Sequence, residues 1–222
     1  MELIKTLDVE LKKSKELVPF KEAFAFMEKR VEEIIAGKGK QMLWFLEHEP
    51  VYTAGVSAKD EDLLFKGDIP VFKTNRGGQY TYHCPGMMIV YCMLDLKKIF
   101  APKQPDVRKF VELLENVVIE VLAHYGIKGE IKQGRVGIWV VDDKGKEKKI
   151  AAIGIKLRKW VSYHGIAINI NPDLRGFQNI VPCGIREFGV TSIDEVSGEI
   201  NKEEFIDLFI YRLQSLQLVL KD

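Results

Sequence analysis

The chain has 222 residues, is 46% hydrophobic and carries 33 Lys or Arg against 32 Asp or Glu, for a formal net charge of +1 at pH 7. That length fills one well-packed core, so residues 1–222 read as a single domain, and the near-zero charge excludes the strongly basic character of a general nucleic-acid binder. Three cysteines and no charged-then-apolar leader in "MELIKTLDVELKKSKE" exclude a secreted disulfide framework and point to a reducing cytoplasm, while the longest apolar run, "MMIVYCMLDL", falls well short of the roughly 20 residues of a membrane span.

From Pro19 to Ala36, the residues Phe20, Ala23, Phe24, Met27, Val31, Ile34 and Ile35 recur at helical spacing with Lys and Glu between them, and Gly37 follows. This predicts an amphipathic helix. "QMLWFLEHEPVYTAG" and "IPVFKT" are β-branched and aromatic runs broken by Pro50 and glycines, as strands entering loops are. "MMIVYCMLDL" is apolar at every position but one, which predicts a central strand buried on both faces. A second helix is expected from Asp106 to Tyr125, where Val107, Phe110, Val111, Leu114, Val117, Val118, Val121 and Leu122 repeat at 3.6 spacing before Gly126. Next, "DDKG" separates two strand-like runs and supplies hairpin turn chemistry, and "VSYHGIAINI" continues the same sheet. A last helix is expected from Asn201 to Leu220, with Asn201 and Glu204 spaced as a cap and its reciprocal partner. This irregular alternation predicts an α+β fold with a mixed or antiparallel sheet flanked by helices.

Chemistry is sought first at the cysteines, because a thiol reacts as a thiolate held in a reachable, electropositive place. Cys92 lies inside the apolar strand and reads as a small buried hydrophobe. Cys84 follows His83, but successive side chains of a strand point to opposite faces, so the pair does not share one pocket unless the backbone turns. Cys183, in "NIVPCGIRE", is stiffened by Pro182 and opened by Gly184, an arrangement that presents a thiol; an ordinary loop cysteine stays open as the alternative. No C-x-x-C, H-x-x-x-H or H-E-x-x-H spacing supports a metal, and neither "RGGQY" nor "GRVG" is a nucleotide loop. His83 and His164 share a context, "TYHCPG" and "SYHGIA", and two such corners could frame one pocket or simply satisfy buried backbone groups. Ala151, Ala152 and Gly154 leave room beside a strand, and Gly77, Gly78, Gly165 and Gly184 allow close backbone approach, which suits a thin acyl chain worth roughly 0.8 kcal/mol per buried methylene.

Taken in order, "RGGQYTYHCPG", "KIAAIGIK", "SYHGIAININ" and "FQNIVPCGI" resemble the motifs of the lipoyl(octanoyl) transferases, over most of the chain. The resemblance implies the catalytic fold shared with biotin and lipoate protein ligases. It also implies transfer of an octanoyl or lipoyl group from acyl carrier protein, through a cysteine thioester, to a lysine of a lipoyl domain. Those domains belong to the E2 subunits of 2-oxoacid dehydrogenases or to the glycine cleavage H protein, and no metal or cofactor is implied. Carried over by motif, Cys183 is the nucleophile and Lys149 its partner. The residues expected at the substrate are Arg76, Gly77, Gly78, Gln79, Tyr80, Thr81, Tyr82 and His83 of the first motif, Ala152, Ile153 and Gly154 of the second, and Tyr163, His164 and Gly165 of the third. The family usually has glycine where this chain has Cys84. Arg76 is expected to brace the glycine loop, and an ammonium at Lys149 would stabilise the Cys183 thiolate and shuttle the proton of the incoming amine. Between Ile127 and Trp160 there are ten Lys or Arg and four Asp or Glu, a local surplus of +6 suited to an acidic carrier protein or to a solvated hairpin. The rivals are an ATP-dependent lipoate or biotin ligase, an amidotransferase moving octanoyl between lipoyl domains, and a non-catalytic module that binds lipoyl domains.

Overall fold

The structure is a computed structural model and describes residues 8–65, 67–181 and 188–215. In chain order its first half comprises β1 (Val9–Lys13), α1 (Phe20–Ile35), β2 (Gln41–Leu46), β3 (Val51–Ala54), β4 (Val71–Lys73), β5 (Tyr80–His83) and β6 (Met87–Met93). The second half comprises α2 (Leu96–Phe100), α3 (Val107–His124), β7 (Glu130–Lys132), β8 (Arg135–Val141), β9 (Glu147–Arg158), β10 (Val161–Asn169), β11 (Gly189–Val190), α4 (Ile193–Ser197) and α5 (Lys202–Ser215). The main sheet has the order β1-β2-β6-β10-β9-β8-β7, with β11 added beside β9, and β4-β3-β5 form a smaller sheet. The pairings β1–β2 and β9–β11 are parallel and the other main-sheet pairs antiparallel, which is the mixed sheet expected.

Period-2 alternation sorts the core into two layers. Met88, Val90 and Cys92 of β6 face one layer with Leu114, Val118 and Phe209 of α3 and α5; Met87, Ile89, Tyr91 and Met93 face the other, with Met27 and Val31 of α1 and with Tyr52 and Tyr82 of the small sheet. Cys92 is therefore core, as its setting predicts, and burial pushes its thiol up to about 12. The "DDKG" turn forms as expected: Asp142 Oδ1 accepts from the Lys144 and Lys146 amides, and Gly145 takes φ +74. At α5, Asn201 Oδ1 accepts from the Glu203 and Glu204 amides, but the reciprocal half of the predicted cap is absent among the described residues. The Glu204 carboxylate instead lies 3.7 Å from His124 Nε2, across the α3–α5 packing.

One irregularity positions the site. Ile138 pairs with Ala151 while the next residue, Trp139, pairs with Lys149, so Ile150 is an extra residue in β9. Ile150 and Ala151 both pack into the α3–α5 layer. Lys149 and Ala152 then share the opposite face although three positions separate them, a spacing that would split them in a regular strand.

Candidate active site

The small sheet and its loops lie over β6, β9 and β10 and leave a narrow cavity, partly open to solvent. Its polar wall is built around Arg76, only 8% exposed. Arg76 Nη2 donates to the Thr53 carbonyl at 2.6 Å and the Gln79 carbonyl at 2.7 Å, its Nε donates to Thr53 Oγ1 at 3.2 Å, and its Nη1 donates to the Gly77 carbonyl at 2.9 Å. One guanidinium thus ties the glycine loop to β3, which is the bracing expected of it. Gly78 needs its positive φ of +84 for this turn. Gly165 is small for a different reason than ligand approach: a Cβ there would run into the carbonyl of Val90 on the neighbouring strand.

Arg76, Gly77, Gly78, Gln79, Tyr80, Thr81, His83, Ala152, Ile153, Gly154, His164 and Gly165, all expected from sequence, line this one cavity. Tyr82 and Tyr163 do not. Tyr82 points to the other face of β5, against Tyr52 and Phe177, because alternation separates it from Thr81 and His83. Tyr163 accepts a 2.9 Å hydrogen bond from Asn75 Nδ2, while Asn75 Oδ1 lies 3.1 Å from His164 Nε2. Asn75 is therefore a support that motif reading missed, although it directly precedes "RGG". Phe20, Thr53, Ile89, Tyr91, Ile166 and Ala167 complete the wall and were also missed, since hydrophobic patterning assigns their type to the core.

The two Tyr-His corners do meet. His83 stacks on Phe20 and His164 on Phe24, and His164 holds φ +59 inside a strand, a strained conformation of the kind found at functional sites. Three imidazoles are kept neutral here. Burial pushes His48 down to about 4, burial and then the Arg76 charge push His164 down to about 3, and burial, with the Arg76 charge nearby, holds His83 well below its usual range. His48 accordingly donates from Nδ1 to the Val18 carbonyl at 2.6 Å and accepts from the Tyr91 hydroxyl at Nε2, at 2.7 Å.

A pH dependence of stability follows from these depressed values. The unfolded imidazoles bind protons near pH 6.5 whereas the folded ones refuse them until much lower pH, so this stability is complete above about 6.5 and is lost as pH falls towards 4 and 3. His48 alone should account for about 3 kcal/mol by pH 4. Urea unfolding at pH 7.5, 6.0, 5.0 and 4.5 should give steadily falling midpoints, and a flat series would contradict neutral burial.

Lys149 occupies an adjoining hollow lined by Thr81, Met87, Ala151, Ala152, Asn169, Phe177 and Val190; Thr81 and Ala152 belong to both spaces. It is 7% exposed, its Nζ donates to the Val136 carbonyl at 3.0 Å, and it stands 4.7 Å over the Trp139 ring. Lys149 is thus carried into the sheet, not solvated with the rest of "KGKEKK". Cys183 and Gly184 lie outside the described residues, but the chain is anchored on both sides of them. Upstream, the Val181 amide donates to the Asp62 carbonyl at 2.8 Å. Downstream, Phe188 packs on Trp139 and Arg135, Val190 pairs with Lys149, and the Thr191 amide donates to the Lys149 carbonyl.

Cys84 lies on the Tyr82 side of its strand, 2% exposed, with its Sγ 3.9 Å from the Asp173 carbonyl; burial pushes its thiol up to about 11. It is a poor thiolate with no access to the cavity wall that His83 forms. Among the described residues no group of three or more His, Cys, Asp or Glu is arranged to hold a metal ion, and no helix is long and apolar enough to cross a membrane.

Residues 19–214 match the lipoyl protein ligase A/B catalytic domain. The chain belongs to this family. It is 50% identical over 200 residues to an octanoyltransferase of Maricaulis maris, covering 89% of this chain and 87% of that protein. An octanoyltransferase of Brucella melitensis is 54% identical over 185 residues, 80% of this chain and 69% of its own length. A bipartite lipoate protein ligase from Thermoplasma acidophilum superposes with a TM-score of 0.67, covering 98% of this chain and 87% of that one at 15% identity. At that identity the likeness speaks for the shared fold: the lipoyl protein ligase A/B domain here is the expected mixed sheet between helices.

Proposed function

We propose that this protein is an octanoyltransferase that acts in two steps through a thioester on Cys183. The observation that carries the reading is the buried Lys149, held on the same strand face as the wall of a narrow cavity, in a chain half identical to octanoyltransferases. In the first step the Cys183 thiolate attacks the thioester carbonyl of octanoyl-acyl carrier protein; a C–S bond forms, the C–S bond to the carrier breaks, and the carrier thiolate takes a proton from the Lys149 ammonium, leaving that amine neutral. In the second, the amine of a lipoyl-domain lysine attacks the acyl-Cys183 carbonyl, a C–N bond forms, the thiolate leaves, and the amine's surplus proton passes to the now neutral Lys149, restoring the ammonium and the Cys183 thiolate. Lipoyl domains of 2-oxoacid dehydrogenase E2 subunits and the glycine cleavage H protein are the acceptors, and the cytoplasm is where donor and acceptors meet.

Neutral imidazoles and apolar side chains make a wall that receives an uncharged acyl chain without desolvating a carboxylate. Of the ten cations between Ile127 and Trp160, Lys128, Lys132, Arg135, Lys148 and Arg158 are engaged in ion pairs, and Lys149 is buried. Lys144 and Lys146 at the hairpin turn stay exposed and supply the charge that would meet an acidic carrier.

Mixing the protein with octanoyl-acyl carrier protein, without ATP or added metal, should add one octanoyl mass, located on Cys183 by peptide mapping. Adding a lipoyl domain should discharge it to the acceptor lysine. Turnover that requires Mg-ATP would return the chain to the ligases, and an adduct formed from an octanoylated lipoyl domain but not from the carrier would make it an amidotransferase.

A further inference from the structure

We propose that Glu115 is a positioning residue for Lys149, acting through a single peptide unit; the proposal rests on the Cys183–Lys149 reading above. Glu115 breaks the pattern of α3: it lies between Leu114 and Val118 on the packed face and is 5% exposed where its neighbours are aliphatic. A carboxylate in such a place needs compensation. It receives it from the Gly137 amide, which donates to Glu115 Oε1 at 2.9 Å. The same peptide unit carries the Val136 carbonyl, and that oxygen accepts from Lys149 Nζ at 3.0 Å. Glu115 and Lys149 therefore grip the two ends of one amide plane, N–H and C=O, from opposite sides of the sheet.

Backbone geometry at the junction fits this purpose. Gly137 sits at φ +112, and a Cβ there would lie 2.6 Å from the Ala151 carbonyl and 3.5 Å from Lys149 Cε. The peptide can reach both partners only because the position is glycine. An amide whose N–H is hydrogen-bonded is also held in place for the bond its C=O accepts, since linked hydrogen bonds reinforce one another. Burial raises the Glu115 carboxyl from its ordinary value, while the Gly137 amide and the Lys149 charge act against that rise.

Two conservative variants separate position from charge. Glu115→Asp keeps a carboxylate but draws it back by one methylene from the Gly137 amide; Glu115→Gln keeps an oxygen within reach and removes the charge. In steady-state octanoyl transfer from carrier to lipoyl domain, Glu115→Asp should lower kcat about tenfold with the donor KM unchanged, and Glu115→Gln should stay within about threefold of wild type. Each variant's unfolding midpoint verifies that the folded enzyme is being measured. Equal kcat values for the two variants, or a greater loss in Glu115→Gln, would overturn the proposal. Should Lys149→Ala itself leave kcat unchanged, the fault would lie with the Cys183–Lys149 reading and not with the contact between Glu115 and the peptide.

Discussion

If Cys183 is the nucleophile proposed, replacing it by serine should reduce octanoyl transfer by at least about a thousand-fold, because an alcohol stays protonated and is a far weaker nucleophile towards a thioester. Cys84→Gly, by contrast, should keep most activity per folded molecule. The contrast is physical: Cys84 is enclosed by Tyr82 and Asp173 with its thiol pushed up to about 11, and the cavity is reached from the opposite face of its strand. Losing a buried side chain at Cys84 should show in the unfolding midpoint, not in kcat. Acyl adduct found on Cys84, or a folded but inactive Cys84→Gly protein, would reverse the assignment of the two cysteines.

Lys149→Ala should lower kcat by roughly 10² to 10⁴-fold, the usual range for a lost proton-transfer group. A second signature tells a missing cation from mere disruption. On the proposed mechanism Lys149 is the cation that stabilises the Cys183 thiolate, so without it the thiol pKa should rise and alkylation of Cys183 by iodoacetamide should move to higher pH. Iodoacetamide is neutral, which keeps reagent charge out of the comparison. An alkylation profile identical to that of wild type would mean that Lys149 exerts no field on the sulfur. Because Lys149 also stands over Trp139 and binds the Val136 carbonyl, Lys149→Met is the better packing control.

Much of this site is legible in the sequence, and for identifiable reasons. Strong periodicity fixed α1 and α3 to within a residue or two, and the resemblance carried by "RGGQYTYHCPG" assigned the stretch from Arg76 to Thr81 to the substrate site, where it lines the cavity. Alternation also placed Cys84 and His83 on different faces. The same rule, applied to Tyr82, would have removed it from the expected lining; motif adjacency in the sequence had outweighed it. Asn75 and Glu115 were out of reach for another reason. Their roles depend on partners 88 and 22 residues away, and a one-dimensional pattern contains no signal for a contact that only the sheet topology creates. Lys149 was found through its motif and the apolar run after it, yet the face it occupies could not be found that way.

The extra residue at Ile150 makes β9 two independent instruments joined by a phase shift. Downstream of it, Ala152 and Gly154 set the width of the space beside the strand; upstream, Lys149 sets where positive charge stands. A point substitution on one side leaves the phase of the other untouched, so the width of the cavity and the position of the lysine can change separately in evolution. Straightening the strand while keeping its length would turn Lys149 into the aliphatic layer beneath. Deleting Ile150 would remove the bulge and restore strict alternation with the lysine still on the cavity side and still opposite Trp139.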